Sequence, residues 1–258
     1  MRKIISVLFC LLLFVSVDIL QAQQSTTLIV RARAKGAKFI GSSMGGAMVV
    51  VREKETGKIL ASGLTEGGTG DTDLLMKKPH SMGMKLSTDG TAKFETTLQL
   101  KEPVLAEVEV KGPMAQQQSS VISSTEIWLI PGKNINGDGL IIQVPGFVVD
   151  ILGPHAHKFV QMKGASTSVP IRASVVMMCG CPTSEGGLWD SSQYEIKALI
   201  QKNGETVDTV PLKYTGEMST YQGMFKPASP GAYEIMVYAY DPNNGNTGLD
   251  KTTVVVTD

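Results

Sequence analysis

The chain has 258 residues with 24 basic and 24 acidic side chains, 42% hydrophobic residues and three cysteines. A formal net charge of zero supplies no field to gather nucleic acid or anionic lipid, and three cysteines exclude a small fold stapled by disulfides. The length exceeds one ordinary sandwich and suits a leader followed by two domains of about 100–130 residues.

The leader comes first. Arg2 and Lys3 form a positive start, Ile4 to Val17 is an almost unbroken apolar run, and Leu20-Gln21-Ala22 offers a small residue for cleavage before Gln23. This tripartite pattern is that of a secretory signal peptide over residues 1–22. The apolar run is shorter than the roughly 18–20 residues of a spanning helix, and an uncleaved anchor is the alternative. Bulky Leu8 and Phe9 before Cys10 argue against lipoprotein processing. Once the leader is removed, 22 basic and 23 acidic residues leave a formal charge of −1. The remaining chain has no second apolar run long enough to cross a bilayer. The expected destination is the periplasm or the outside. The expected partner is another envelope protein or an extracellular ligand, and not nucleic acid.

Beyond the leader the period is two. Leu28, Val30, Ala32 and Ala34 alternate with Ile29, Arg31 and Arg33, and Ala47, Val49 and Val51 repeat the pattern. Phe94, Thr96, Leu98 and Leu100 share a face opposite Lys93 and Glu95, and Ala106, Val108 and Val110 oppose Glu107, Glu109 and Lys111. Such alternation marks strands with one buried face. Gly112 to Ser124 reads as a polar loop within the first domain. Leu140 to Val144 and Phe147 to Leu152 are two strand pieces broken by Pro145-Gly146. The pattern restarts with Val169, Ile171, Ala173 and Val175, then Tyr194 to Ile200, Tyr221 to Phe225, Tyr233 to Ala239 and Thr252 to Val256. Short strands between Gly-, Pro- and Asn-rich turns predict an all-β chain of two tandem β-sandwiches, residues 23–153 and 154–258.

Two runs resemble known families. Val49-Val50-Val51-Arg52, Thr56-Gly57-Lys58-Ile59-Leu60-Ala61 and Gly67-Gly68-Thr69-Gly70 resemble the carboxypeptidase-regulatory or transthyretin-like sandwich, in which a strand, a Thr-Gly-Lys turn and a Gly-rich corner recur. Tyr221-Gln222-Gly223-Met224-Phe225, Pro230-Gly231-Ala232-Tyr233 and Ala239-Tyr240-Asp241 resemble the closing strands of bacterial immunoglobulin-like domains. The resemblance implies spacers and binding modules and carries over no catalytic residue.

The segment richest in candidate chemistry is Val176-Met177-Met178-Cys179-Gly180-Cys181-Pro182. If the strand continues, Met177, Cys179 and Cys181 point to one side, as soft ligands for copper or zinc. His155 and His157, also two apart, would complete the shell. The competing readings are a buried, metal-free pair, reduced or disulfide-linked, and redox chemistry. His80, Met82 and Met84 form a second soft patch on a loop. Asp241-Pro242-Asn243-Asn244-Gly245-Asn246 and Asn134 to Gly139 have oxygen ligands in calcium-like order, but Asn-Gly and Gly-Asp also signal turns, and both runs read as turns. The Gly-rich runs 41–46 and 67–71 lack the Lys-Ser/Thr ending of a phosphate loop. Neither Gly-x-Ser-x-Gly nor His-Glu-x-x-His occurs. Trp128 beside Pro131 is a candidate exposed binding spot. The expectation is therefore an exported, non-catalytic binding or scaffolding protein of the bacterial cell envelope. A periplasmic copper or zinc carrier comes second and a hydrolase on a β scaffold third.

Overall fold

A computed structural model describes residues 23–164 and 166–258; the expected leader lies outside the described residues. The first module is built from β1 (Gln24–Ala34), β2 (Met48–Glu53), β3 (Ile59–Leu64), β4 (Phe94–Leu100), β5 (Val104–Gly112), β6 (Val121–Leu129) and β7 (Ile135–Val144). These form two facing sheets of strand order β4-β1-β7 and β3-β2-β5-β6. The second module comprises β8 (Phe147–Gly153), β9 (Lys158–Gln161), β10 (Val169–Met177), β11 (Glu195–Lys202), β12 (Glu205–Pro211), β13 (Lys213–Tyr214), β14 (Thr220–Phe225), β15 (Gly231–Tyr240) and β16 (Thr247–Thr257). Its sheets run β13-β14-β10-β8 and β12-β11-β15-β16-β9. The chain is all-β, two β-sandwiches in tandem.

The alternation places the cores as expected. Val49 and Val51, Ala106, Val108 and Val110, Ile171, Ala173 and Val175, and Ile235, Val237 and Ala239 are all buried. Each buried valine or isoleucine contributes about 1.5–3 kcal/mol by leaving water. One strand breaks the rule. In β1 Ile29 and Arg31 are buried as well as their neighbours, because the loop 85–92 and β7 cover the outer face.

The division between modules differs from the expected one after Gly153. β8 pairs with β10, with Phe147 opposite Met177, Val149 opposite Val175 and Ile151 opposite Ala173. The boundary is therefore Pro145-Gly146, where β7 has ended and Gly146 adopts φ +124°. The pattern restarts after Gly153-Pro154, which predicts the boundary there, but the seven residues Phe147–Gly153 pair with β10 of the second module.

The second module has the immunoglobulin-like plan. Counting its strands in order, the first, third, seventh and sixth share one sheet, and the fourth, eighth and ninth share the other. β12 extends the latter at one edge and β9 at the other, parallel to β16. Tyr233, near the start of β15, donates its hydroxyl to the Ser229 carbonyl at 2.6 Å, the tyrosine corner of this fold class. The first module follows another plan, with β2 between β3 and β5, and β1 parallel to β7. Thr56-Gly57-Lys58 lies in the β2–β3 turn, closed by Gly57 N donating to Glu53 O at 2.8 Å.

Asn134 to Gly139 is not a turn. Most of it lies within β7, where the register against β1 shifts between Leu28–Ile135 and Val30–Leu140. The extra residues form a bulge. It puts the Asp138 carboxylate within 2.6–2.8 Å of Leu86 N, Ser87 N and Ser87 Oγ. The stretch read as a loop, Gly112 to Ser124, ends in the first residues of β6.

Candidate functional site

The sulfur-bearing segment is a turn and not a strand end. β10 stops at Met177; Gly180 N donates to Met177 O at 2.7 Å and Met177 N to Cys181 O at 3.0 Å. Gly180 sits at φ +76°, a conformation that glycine adopts without steric cost. The alternation that would align Met177, Cys179 and Cys181 ends there, yet the turn keeps all three buried. Cys179 and Cys181 are paired as a disulfide, their Cα atoms 5.4 Å apart. Gly180 packs on the first module: a Cβ here would lie 2.6 Å from Met44 Sδ. The tip of the turn therefore belongs to the junction between modules.

The histidines do not join it. β8 runs antiparallel to β10 from Phe147 opposite Met177 to Gly153 opposite Arg172. His155 and His157 follow Gly153 and so lie beyond the other end of the sheet, five strand residues or roughly 17 Å away. Both are exposed, and His157 N donates to Thr253 O. Among the described residues no three of His, Cys, Asp and Glu converge. On the second patch, His80 Nε2 lies 2.9 Å from the Leu74 carbonyl, Met82 is fully exposed and Met84 half-buried. That stretch is an irregular loop, so alternate spacing does not align its side chains. Among the described residues no histidine ring hydrogen-bonds to a Ser, Thr or Cys side chain.

The Asp241–Asn246 loop is the turn its sequence predicts, and it also reaches the first module. It closes the β15–β16 hairpin as a turn, with Asp241 N on Asn246 O and Asn243 N on Asp241 Oδ1, each at 2.9 Å. Its last residue holds the modules together. Buried Asn246 accepts from Gly146 N through Oδ1 at 3.0 Å and donates through Nδ2 to Lys35 O at 3.0 Å. Lys35 Nζ returns a bond to Asn244 O at 2.7 Å, and Trp189 Nε1 donates to Gly36 O at 3.1 Å. On another side of the junction, Ser119 Oγ accepts from Val149 N at 3.2 Å. No sequence motif marks this clamp; its residue types are those of any turn.

Beside the clamp lies a groove of about 560 Å³, walled by Ser119, Ser120 and Val121 of the first module and by Phe147, Leu199, Tyr238 and Leu249 of the second. Leu199, Tyr238 and Leu249 stand on the outward face of β11, β15 and β16, opposite in phase to buried Ala198, Val237 and Ala239. Apolar residues in the polar phase of a strand were the sequence signal for this surface. Tyr238 donates to Glu195 Oε1 at 2.5 Å. Burial, then this hydrogen bond, push the phenol up to about 12. The ring therefore stays neutral and presents its apolar faces. Ser120 Oγ is buried without a hydrogen-bond partner among the described residues. Pockets at domain junctions with mostly apolar walls and few polar groups are the usual seats of small ligands.

No protein-family model and no curated protein matches this chain. Solved structures do. It is similar to the fibronectin(III)-like modules of Clostridium thermocellum CbhA, at 12% identity over 81% of this chain and 77% of that one, with a TM-score of 0.30. It is similar to titin A168169 at 12% identity over 92% of each chain, with a TM-score of 0.24. An engineered protein is 20% identical over 50% of this chain, which spans 24% of that one, with a TM-score of 0.32. These neighbours include fibronectin-III and immunoglobulin-like domains and confirm no carboxypeptidase-regulatory or transthyretin family. The immunoglobulin-like assignment of the second module rests on its strand order and on Tyr233.

Proposed function

We propose that this chain is an exported, non-catalytic binding protein of the bacterial cell envelope, with its ligand seat in the groove between the two modules. The observation that carries the reading is the groove itself: apolar side chains stand on a sheet face that alternation reserves for polar ones, roofed by the neighbouring module. The volume suits a small apolar molecule. The leader pattern supports export. The Thr56-Gly57-Lys58 hairpin and the Gly-rich corner support a transthyretin-like ancestry for the first module, and such sandwiches serve as binding modules. An anilinonaphthalene dye is expected to bind saturably with enhanced fluorescence. Leu199→Glu and Leu249→Glu are each expected to weaken it about tenfold or more, since each removes apolar contact and buries a charge. Unchanged dye affinity in both variants, with circular dichroism as in the parent, sinks the assignment.

The copper or zinc carrier is the second reading. Its support is that buried Met177, Cys179 and Cys181 share one turn, and that Met44 is brought to Gly180. It requires the cysteine pair reduced, since thiolates and not a disulfide bind these metals, and it proceeds without His155 and His157. Elemental analysis of chelator-free protein, purified under reduction, is expected to find metal that Cys179→Ser/Cys181→Ser loses. Equal metal content in both retires this reading.

A further inference from the structure

We propose that β6 is a dimerisation edge, and that its occupant is the β6 strand of a second copy of this chain, paired antiparallel about a two-fold axis at Thr125. β6 pairs with β5 over all nine residues, Val121 opposite Gly112 to Leu129 opposite Val104, without a register shift. Its other edge has no backbone hydrogen bond to any segment among the described residues. Natural edge strands are blunted by proline, charged side chains, a bulge or a short length; Val121–Leu129 runs nine residues without proline, lysine or bulge and carries a single charge, Glu126. It exposes Ile122 at 58% and Trp128 at 60%. A free edge of this kind offers main-chain hydrogen bonds to an added strand.

The side chains select the partner and the register. With the axis at Thr125, outward-facing residues meet outward-facing ones, and both sheet faces continue across the dimer. Trp128 then lies opposite Ile122 of the second copy, twice by symmetry, and Glu126 lies opposite Ser124. Moving the axis to Glu126 sets the two Glu126 carboxylates directly against each other and opposes Trp128 with Ser124. Moving it to Ser124 sets Glu126 against Ile122. Only the Thr125 axis gives two aromatic–aliphatic pairs with no like-charge opposition. Within one chain Glu126 already faces Glu107, and Lys54 Nζ lies between them, 2.9 Å from Glu126 and 3.5 Å from Glu107. Lys54 offsets one of the two charges and leaves a formal −1 on each copy, and the Thr125 axis keeps the two Glu126 carboxylates diagonal rather than directly opposed. The contact is isologous and closes on itself, so it yields a dimer and not a fibre.

Sedimentation velocity over a rising concentration series is expected to show the full chain passing reversibly from monomer to a species of twice the mass. Ile122→Lys/Trp128→Lys is expected to stay monomeric with unchanged circular dichroism, because both side chains are exposed in the monomer. Under mild oxidation Thr125→Cys is expected to cross-link into a covalent dimer. Val121→Cys, which would face residue 129 of the second copy, is expected not to. Leu199→Glu is expected to leave the dimer intact, so failure of the groove and failure of this edge are read separately. A chain that stays monomeric throughout, a dimer that survives the double lysine variant, or cross-linking at 121 in place of 125 overturns the proposal.

Discussion

Asn246→Ala is expected to lower stability by about 2–5 kcal/mol and to split thermal unfolding into two transitions. The substitution deletes one buried amide that serves two main-chain groups on opposite sides of the boundary, Gly146 N and Lys35 O. An abandoned buried donor or acceptor costs about 1–3 kcal/mol, and water has little access, because Asn246 is completely buried. The second consequence is architectural. Each module has its own pair of sheets, so the clamp governs whether they melt together more than whether either folds. Differential scanning calorimetry resolves the outcomes; a single transition with little loss of stability would show that the remaining junction contacts, Lys35–Asn244, Trp189–Gly36, Ser119–Val149 and Met44–Gly180, suffice. The groove supplies an independent readout. One wall is Ser119–Val121 and the other is β11, β15 and β16, so loosening the junction is expected to weaken dye binding although no groove residue is changed.

Arg31→Met is expected to cost about 3–5 kcal/mol, because each buried carbonyl deprived of its charged donor costs about 1–3 kcal/mol. Arg31 Nη1 donates to Thr91 O at 2.5 Å and Ala92 O at 2.8 Å, and Nε to Asp138 O at 3.2 Å. Burial pulls the guanidinium below its usual value, while Asp138 and Glu95 act to raise it. Methionine fills the space and removes the donor from four carbonyls, the fourth being that of Gly137. The same network carries a pH signature. Burial works to raise the Asp138 carboxyl, but bonds from Leu86 and Ser87 and the charge of Arg31 outweigh it and hold the group below the ordinary carboxylate range. A carboxyl depressed on folding contributes stability that is whole above its unfolded value and is lost as pH falls through the folded one. Denaturant titrations from neutral to acid pH are expected to show this loss in the parent. Asp138→Asn is expected to flatten it, and an unchanged acid limb would remove Asp138 from the account.

The strands are legible because a pleated chain must alternate its side chains, and Ala106–Val110 and Val169–Val175 alternate without fault. The bulge at Asn134–Gly139 is not, since whether Gly and Asp make a turn or an interrupted strand depends on the partner, here β1. Phe147–Leu152 was read as a strand but placed in the wrong module; pairing with β10 is a contact across some twenty-five residues, and nothing local encodes it. The sulfur turn shows the same limit. The spacing aligns Met177, Cys179 and Cys181 only if the strand continues, and the turn at Gly180 ends it, while the separation of His155 and His157 from the cysteines follows from the direction of β8.

Local chemistry alone thus decided that this chain alternates and where most of its strands lie. Assembly in space decided the boundary at Pro145-Gly146, the clamp at Asn246, the apolar groove and the bare edge of β6. The reason is physical. Periodicity is a property of neighbouring residues, whereas burial of Asn246 or exposure of Trp128 depends on which distant segment arrives to cover it.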